Sequence, residues 1–160
     1  MMSKTEKIRM GEDIKLNQMV CFALYGASHA FSRAYKPLLD PLGLTYPQYL
    51  VMISLWEKDG QPVKALGEAL GLDSGTLSPL LKRLEQAGLV SRVRSKQDER
   101  QVNITLTDRG RQMQEETAGV ATAIGQATGC TIAELESLRE RLRLLEANLL
   151  KGDGGEGRAA

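Results

Sequence analysis

Two cysteines are the residues of this 160-residue chain best suited to covalent chemistry. Cys21 lies in the apolar and aromatic stretch MVCFALYGASHAFSRAY, and Cys130 lies far along the chain at the start of the last predicted helix. Two cysteines are too few for a disulfide scaffold. A thiolate can instead attack a peroxide and form a sulfenic acid, which condenses reversibly with a second thiol. Because a buried free cysteine is often inert, Cys21 alone leaves both interpretations open.

A second group of residues has the types that bind duplex DNA. The stretch from Lys82 to Arg111 contains eight basic and four acidic residues, a local charge of +4 against +1 for the whole chain. Cations on phosphates provide affinity, and side chains on base edges provide specificity. Just before and within this stretch, small hydroxyls allow close approach to a groove. The predicted DNA-binding residues are Ser74, Thr76, Ser78, Lys82, Arg83, Arg94, Lys96, Asp98 and Arg100.

Arg100 is the sharpest of these residues because a narrow minor groove concentrates negative potential and attracts arginine. Asp98 precedes it by two residues, and we expect its carboxylate to hold the Arg100 guanidinium in a bidentate pair. The alternative is a solvated loop with a surface ion pair, which contributes little.

Apolar residues at helical spacing predict the elements that must position these groups. The predicted helices cover about 13–34, 46–58, 62–70, 73–88, 108–127 and 131–150. Pro37 and Pro41 are expected to end the first helix. Thr45 is expected to cap the second helix, and Asp73 or Ser74 the fourth. Pro79 lies inside the fourth helix, where we expect a local bend.

The segments LVSRVRS and QVNITLT change to strand-like alternation, with the charged segment KQDERQ between them. Two helices joined by a tight Leu-Gly-Leu turn and followed by such a hairpin are typical of a winged helix-turn-helix. The predicted fold class is therefore mainly α with a small β-hairpin wing. The predicted DNA-binding region is 46–107.

The segment LGEALGLDSGTLSPLLKRLEQAGLVSRVRSKQDERQVNITLTDRG resembles the MarR family of winged-helix repressors, most specifically through LEQAGLVSR, DER and LTDRG. The resemblance extends over roughly residues 13–150. It implies a homodimer that is built from N- and C-terminal helices and binds a pseudo-palindromic operator. The dimerisation region would then be 13–45 with 108–150. Residues 1–12 are expected to be a flexible arm, and the glycine-rich residues 151–160 a disordered tail.

Within that family, NQMVCFALYGASHAFSRAYKPLLDPLGLTYPQYLVM resembles the OhrR group of organic-hydroperoxide sensors. The resemblance implies that Cys21 is the redox-sensing residue and that Tyr35 and Tyr46 donate hydrogen bonds to its thiolate. It also implies that Cys130 is the resolving thiol of an intersubunit disulfide. No cofactor is implied.

Helix geometry constrains this site. Tyr35 follows Cys21 by 14 residues, which is about 21 Å on one straight helix. The tyrosines of one subunit are therefore expected to meet the Cys21 of the other. Tyr25 is an alternative donor within the same chain, because it follows Cys21 by four residues.

The predicted function is a cytoplasmic repressor that binds operator DNA as a homodimer and is released when organic hydroperoxides oxidise Cys21. The alternative is a repressor released by a small phenolic or aromatic ligand without redox chemistry. A thiol peroxidase ranks last, so we expect no enzyme activity. With His29 as its only histidine, the chain is not expected to bind a metal. Neither a membrane span nor a secretory signal is expected.

Overall fold

The computed structural model describes residues 14–152 of the chain. These residues contain seven α-helices and three short strands. In chain order they are α1 (Val20–Leu39), α2 (Tyr46–Glu57), β1 (Gln61–Pro62), α3 (Val63–Leu70), α4 (Ser74–Gln86), β2 (Val90–Arg94), β3 (Val102–Leu106), α5 (Asp108–Glu116), α6 (Val120–Ala127) and α7 (Ile132–Gly152). The described residues up to 120 form one compact unit, and those from 121 form a second. None of these helices is long and apolar enough to cross a membrane.

The core of the first unit is made by apolar residues of the winged helix-turn-helix, as the sequence predicts. Leu55 of α2, Leu66 of α3, Leu81 of α4 and Ile104 of β3 are almost completely buried in one cluster. Gly71 ends α3 in the left-handed conformation, with φ of 64°, which glycine adopts without a steric cost. This turn lets α3 and α4 pack against each other across the helix-turn-helix.

Capping residues fix the starts of α4 and α2, as predicted. The Asp73 carboxylate accepts a hydrogen bond from the Thr76 N–H at 2.9 Å and caps α4. Thr45 and Gln48 form a reciprocal capping box at the start of α2. Helix α4 runs without interruption through Pro79.

The wing belongs to a three-stranded antiparallel sheet in the order β1–β3–β2. The predicted hairpin is confirmed, with Val90 opposite Leu106 and Arg94 opposite Val102. Strand β1 was not predicted, because its two residues include Pro62 and carry no periodic signal. It pairs with the other edge of β3 and ties the wing to the segment that follows α2.

The first predicted helix is wrong at both ends. Residues 16–18 form a short 3-10 helix, and α1 begins only at Val20. At the other end α1 continues through Pro37 to Leu39. Proline removes one hydrogen bond, but the Asp40 N–H still bonds the Lys36 carbonyl, and Leu39 is buried in the core. Tertiary packing therefore outweighs the local cost of the proline.

The helix predicted for 108–127 is two helices, α5 and α6. The break follows Glu116, where the Thr117 hydroxyl donates to the Gln114 carbonyl at 3.0 Å. A side chain that bonds its own backbone competes with helix continuation. At the other end of α5, Gly110 lies so close to the Leu89 carbonyl that a Cβ would be 2.0 Å from its oxygen.

Helix α7 runs to Gly152, two residues beyond its predicted end, so residues 151 and 152 are not part of a disordered tail. The arm predicted for residues 1–12 and the remainder of the predicted tail lie outside the described residues.

Candidate functional site

Tyr35 and Tyr46 lie side by side where the end of α1 packs on the start of α2. Their rings stack with centroids 4.4 Å apart and an interplanar angle of 29°. Tyr49, one turn further along α2, packs on Tyr35 at 6.0 Å. The structure thus brings together the two tyrosines that the sequence assigns to one site, although they are separated by the turn between the helices.

Burial raises the pKa of two of these phenols, Tyr35 and Tyr49. Desolvation, with smaller contributions from Tyr46 and Tyr49, raises the pKa of Tyr35 to about 12. Desolvation first, then Tyr46, also raises the pKa of Tyr49. A phenol that keeps its proton at neutral pH can donate a hydrogen bond to an anion.

A pocket of about 230 Å³ opens beside the tyrosine pair. Its walls combine aliphatic groups and phenol rings with polar groups at the rim, among them Lys36, which pairs with Asp40 at 2.8 Å. The pocket is lined by Ser32, Tyr35, Lys36, Leu39, Asp40, Leu44, Thr45, Tyr46 and Pro47. An alkyl group would find apolar contacts here, close to hydroxyl donors.

Cys21 lies away from this pair on its own chain. It is a free, exposed thiol at the second residue of α1, and no break in α1 brings it back towards Tyr35. The 14 residues between them keep the predicted separation of about 21 Å. Tyr25 is 62% exposed, and its ring packs on His29 at 4.2 Å. Its part in binding the thiolate stays a prediction.

Cys130 is also a free, exposed thiol. One residue, Thr131, separates it from the start of α7. Its N–H donates to the Thr128 hydroxyl at 3.2 Å, and its Sγ contacts the Thr128 carbonyl at 3.6 Å. These contacts keep it in the turn before α7, where it is accessible to a second thiol.

Large apolar side chains remain exposed on α1 and on α7. Val20 is 64% exposed, and several residues on each helix share this property. On α1 and just before it they are Ile14, Leu16, Val20, Phe22, Tyr25 and Phe31; on α7 they are Ile132, Leu138, Leu142, Leu144, Leu149 and Leu150. Apolar faces of this extent mark an interaction surface.

Helix α4 presents the predicted DNA-reading residues to solvent. Its apolar stripe, Leu77, Leu81 and Leu84, faces the core. The opposite face exposes Ser74, Thr76, Ser78, Lys82 and Arg83. The Thr76 hydroxyl donates to Asp73 at 3.0 Å, and its oxygen can still accept. Hydrogen bonds from Thr76 hold the pKa of Asp73 below its ordinary value.

The eight cations between Lys82 and Arg111 separate into two groups. Three pair with carboxylates: Arg92 with Glu85, Arg109 with Glu116, and Arg111 with Asp59 and Asp108. Within residues 14–152 the other five form no salt bridge; they are Lys82, Arg83, Arg94, Lys96 and Arg100. These five are the cations predicted to contact DNA, and their charges are available to phosphates.

The wing tip corrects one expectation. The Asp98 carboxylate accepts from the backbone N–H of Arg100 at 3.0 Å, so it shapes the turn and does not pair with the guanidinium. Aspartate commonly bonds the backbone two residues on. The Arg100 side chain is therefore free to extend from the tip.

Three residues in or near these two candidate sites have roles that the sequence did not predict. Tyr49 packs on Tyr35 beside the predicted pair. Asp59 pairs with Arg111 at 2.9 Å across 52 positions. The spacing of Tyr46 and Tyr49 on one helix face could have indicated the first, but no local signal indicates the Asp59–Arg111 pair.

Comparison with known proteins identifies the relatives of this chain. The family model described as "Transcriptional regulator SarA/Rot" matches residues 33–117. The regulator TtmR of Methylorubrum extorquens is 49% identical over 134 residues, which cover 84% of this chain and 69% of TtmR. The organic hydroperoxide resistance transcriptional regulator of Bacillus subtilis is 45% identical over 129 residues, covering 79% of this chain and 88% of that protein.

Among solved structures, AbfR of Staphylococcus epidermidis superposes with a TM-score of 0.73 at 40% identity, over 85% of this chain and 94% of AbfR. Reduced AbfR bound to DNA matches with a TM-score of 0.70 at 41% identity, over 84% and 94%. A disulfide-formed AbfR matches with a TM-score of 0.60 at 43% identity, over 81% and 91%. These likenesses confirm the predicted winged-helix fold and the predicted kinship with hydroperoxide regulators.

Proposed function

The chain belongs to the family of transcriptional regulators that the SarA/Rot model describes, and on that premise we propose that it is a redox-sensing repressor. In this proposal a homodimer binds operator DNA and leaves it when organic hydroperoxides oxidise Cys21. The observation that carries the proposal is the stacked pair Tyr35–Tyr46, which lies beside a pocket with apolar walls, while Cys21 lies 14 residues from Tyr35 along α1.

A second copy of the chain completes this site. Cys21 is exposed near the start of α1, and the tyrosine pair lies at the other end of the same unbroken helix. In a dimer whose α1 helices run past each other, the tyrosines of one subunit receive the partner's Cys21. The exposed apolar residues of α1 and α7 supply the surface for such a dimer.

The completed site suits a thiolate and an alkyl hydroperoxide. Phenols that stay protonated donate to the thiolate, which then attacks the terminal peroxide oxygen. The S–O bond forms as the O–O bond breaks, the alkoxide leaves and takes a proton to become an alcohol, and Cys21 becomes a sulfenic acid. Burial of an alkyl group contributes about 0.8 kcal/mol per CH₂, which favours organic hydroperoxides over hydrogen peroxide.

Oxidation changes the hydrogen bonds at the α1–α2 junction. A second thiol, for which Cys130 is the candidate, condenses with the sulfenic acid, forming a disulfide and releasing water. The disulfide-formed structure of AbfR supports this step by analogy. A shift of the subunits moves the two α4 helices away from the half-site spacing of about 34–36 Å, and operator affinity falls.

The test uses a duplex selected by the reduced wild-type protein from a random library. Cumene hydroperoxide should release the wild-type protein, and dithiothreitol should restore binding. Cys21→Ser should bind equally well when reduced and stay bound after peroxide. Release of Cys21→Ser as readily as the wild type would remove Cys21 from the mechanism, and release by a phenol under reducing conditions would favour a ligand-controlled repressor.

Cys130→Ser is the matched variant for the second step. After oxidation the wild type should run as a covalent dimer on a non-reducing gel, and Cys130→Ser should not. A covalent dimer that survives Cys130→Ser would assign the resolving role elsewhere. Serine is close to cysteine in shape and cannot be oxidised in this way, so each variant removes the thiol with little change in volume.

A further inference from the structure

One carboxylate, that of Asp59, joins three parts of the winged helix. Its Oδ1 accepts from the Gly60 N–H and from the Leu106 N–H, each at 2.8 Å. Its Oδ2 accepts from the Arg111 guanidinium at 2.9 Å. Asp59 follows α2, Leu106 ends wing strand β3, and Arg111 lies on α5, so the end of the wing is tied to both helices through one side chain.

The sheet register explains why this bond matters to the wing. Gln61 lies opposite Ile104 in the β1–β3 ladder, so an extended ladder would place Asp59 opposite Leu106. Strand β1 has only two residues and begins at Gln61, two residues after that position. The Asp59 carboxylate accepts the hydrogen bond that the Leu106 N–H would donate to a longer β1. Strand β3 is therefore hydrogen-bonded on this side as far as its last residue.

Arg111 differs from the cations that face DNA. Its guanidinium pairs with Asp59 and also with Asp108 at 3.3 Å. Lys96 and Arg100 at the wing tip form no salt bridge with residues 14–152. The charge of Arg111 is therefore compensated in the fold, and its contacts are directed at the base of the wing.

We propose that Asp59, together with Arg111, is a positioning residue for operator binding: it fixes the base of the wing so that the tip presents Arg100 to DNA. This role rests on the proposed function, because it requires a wing that contacts the operator. It acts at the base of β3, away from the sensor site, so it concerns affinity for DNA and not the response to peroxide.

Electrostatics and positioning predict opposite effects for Asp59→Ala. Removing a negative charge near a DNA-binding surface strengthens binding if only the field matters. If Asp59 positions the wing, the variant instead loses affinity by roughly tenfold, comparable to losing one good DNA contact. Asp108→Ala is the matched control, because it removes the same charge from the weaker Arg111 pair and leaves Leu106 bonded; it should bind as tightly as the wild type or more tightly.

A double-mutant cycle with Arg100→Ala separates positioning from damage to the fold. If Asp59 acts through the wing, Asp59→Ala should have little further effect once Arg100 is absent. Stoichiometric titration with the selected duplex gives the active fraction of each variant, so a folding defect is counted apart from affinity. Asp59→Asn, which keeps an acceptor for Leu106, should show an intermediate loss and provides a second variant if Asp59→Ala folds poorly.

Two results would overturn the role while leaving the proposed function intact. Asp59→Ala or Asp59→Asn could bind at least as tightly as the wild type, or the effects of Asp59→Ala and Arg100→Ala could add in full. In either case, specific binding by the wild type would leave the proposed function standing. Absence of specific binding by the wild type would overturn the proposed function and this role together.

Discussion

The winged helix and the first turns of α1 differ in how far their apolar side chains are buried within one chain. In the winged helix, Leu66, Leu77 and Leu81 are each at most 1% exposed, and the α4 side chains predicted to contact DNA lie on the exposed face. On α1, Val20 and Tyr25 are more than 60% exposed, and Cys21 between them is exposed as well. One chain therefore completes the predicted DNA-reading surface, whereas the proposed sensor needs a second copy.

This difference separates recognition from sensing. A close-packed core holds the residues predicted to read DNA in a fixed geometry. A site that two subunits share can change when one of its bonds changes, because its parts are held together by association. Helix α2 belongs to both regions, since Tyr46 begins it and Leu55 anchors it in the core.

The largest expected effect comes from the core of the winged helix. Leu81→Ala leaves a cavity among buried leucines and should lower the free energy of unfolding by about 2–5 kcal/mol. Phe22→Ala on α1 should change the unfolding of dilute protein by less than about 0.5 kcal/mol and instead raise the dimer dissociation constant. Urea unfolding and sedimentation measure the two quantities. Equal destabilisation by both variants would contradict the distinction.

Removing a positive charge should weaken operator binding more on the winged helix than on α1. Arg100→Ala at the wing tip should weaken operator binding by about 1–3 kcal/mol. Arg33→Ala removes the same charge from the exposed surface of α1 and should have a smaller effect. Fluorescence anisotropy at fixed salt measures both affinities. If Arg33→Ala weakened binding as much as Arg100→Ala, the basic charge would act without regard to position.

The capping box of α2 tests the helix that the two regions share. The Thr45 hydroxyl accepts from the Gln48 N–H, and the Gln48 side chain accepts from the Thr45 N–H at 2.9 Å. Thr45→Ala should cost about 1 kcal/mol of stability, and Thr45→Ser should cost little. Thermal unfolding measures the difference. A loss with Thr45→Ser as large as with Thr45→Ala would show that the methyl group, not the cap, is responsible.

The smallest expected effect is a loss of stability at alkaline pH that depends on Tyr35. Burial raises the pKa of Tyr35 from 10.0 to about 12, so the folded state binds its proton more tightly than the unfolded chain. This contribution to stability is complete below about pH 10 and is lost as the pH rises through about 12. Tyr35→Phe should lose less stability over that range and lack one late-titrating phenol in ultraviolet absorbance. An unchanged late phase would contradict the burial of Tyr35.

Much of the fold was predictable because its signals are local. Thr45, Asp73 and Gly71 stand at helix ends for reasons that their own backbone and near neighbours supply. The period of the apolar residues changes from helical to alternating where the wing begins. The resemblance of NQMVCFALYGASHAFSRAYKPLLDPLGLTYPQYLVM to the OhrR group added the pairing of Cys21 with tyrosines, which no periodicity indicates.

The remaining features depend on contacts between distant parts of the chain. Pro37 signals a helix end, yet α1 continues because Leu39 is held by the core. The Asp59–Arg111 pair spans 52 positions and has no local signature. Asp98 has a cation nearby in sequence, but the turn gives it a backbone partner instead.

By itself, the sequence determined that this protein is a winged helix with a basic surface and a cysteine in an apolar helix, since spacing and residue type encode these features directly. Only the tertiary structure decided that Tyr35 and Tyr46 stack together, that five cations remain without carboxylate partners among the described residues, and that Asp59 ties down the wing. Each of these depends on which surfaces meet when the helices pack, and that is fixed by the whole core.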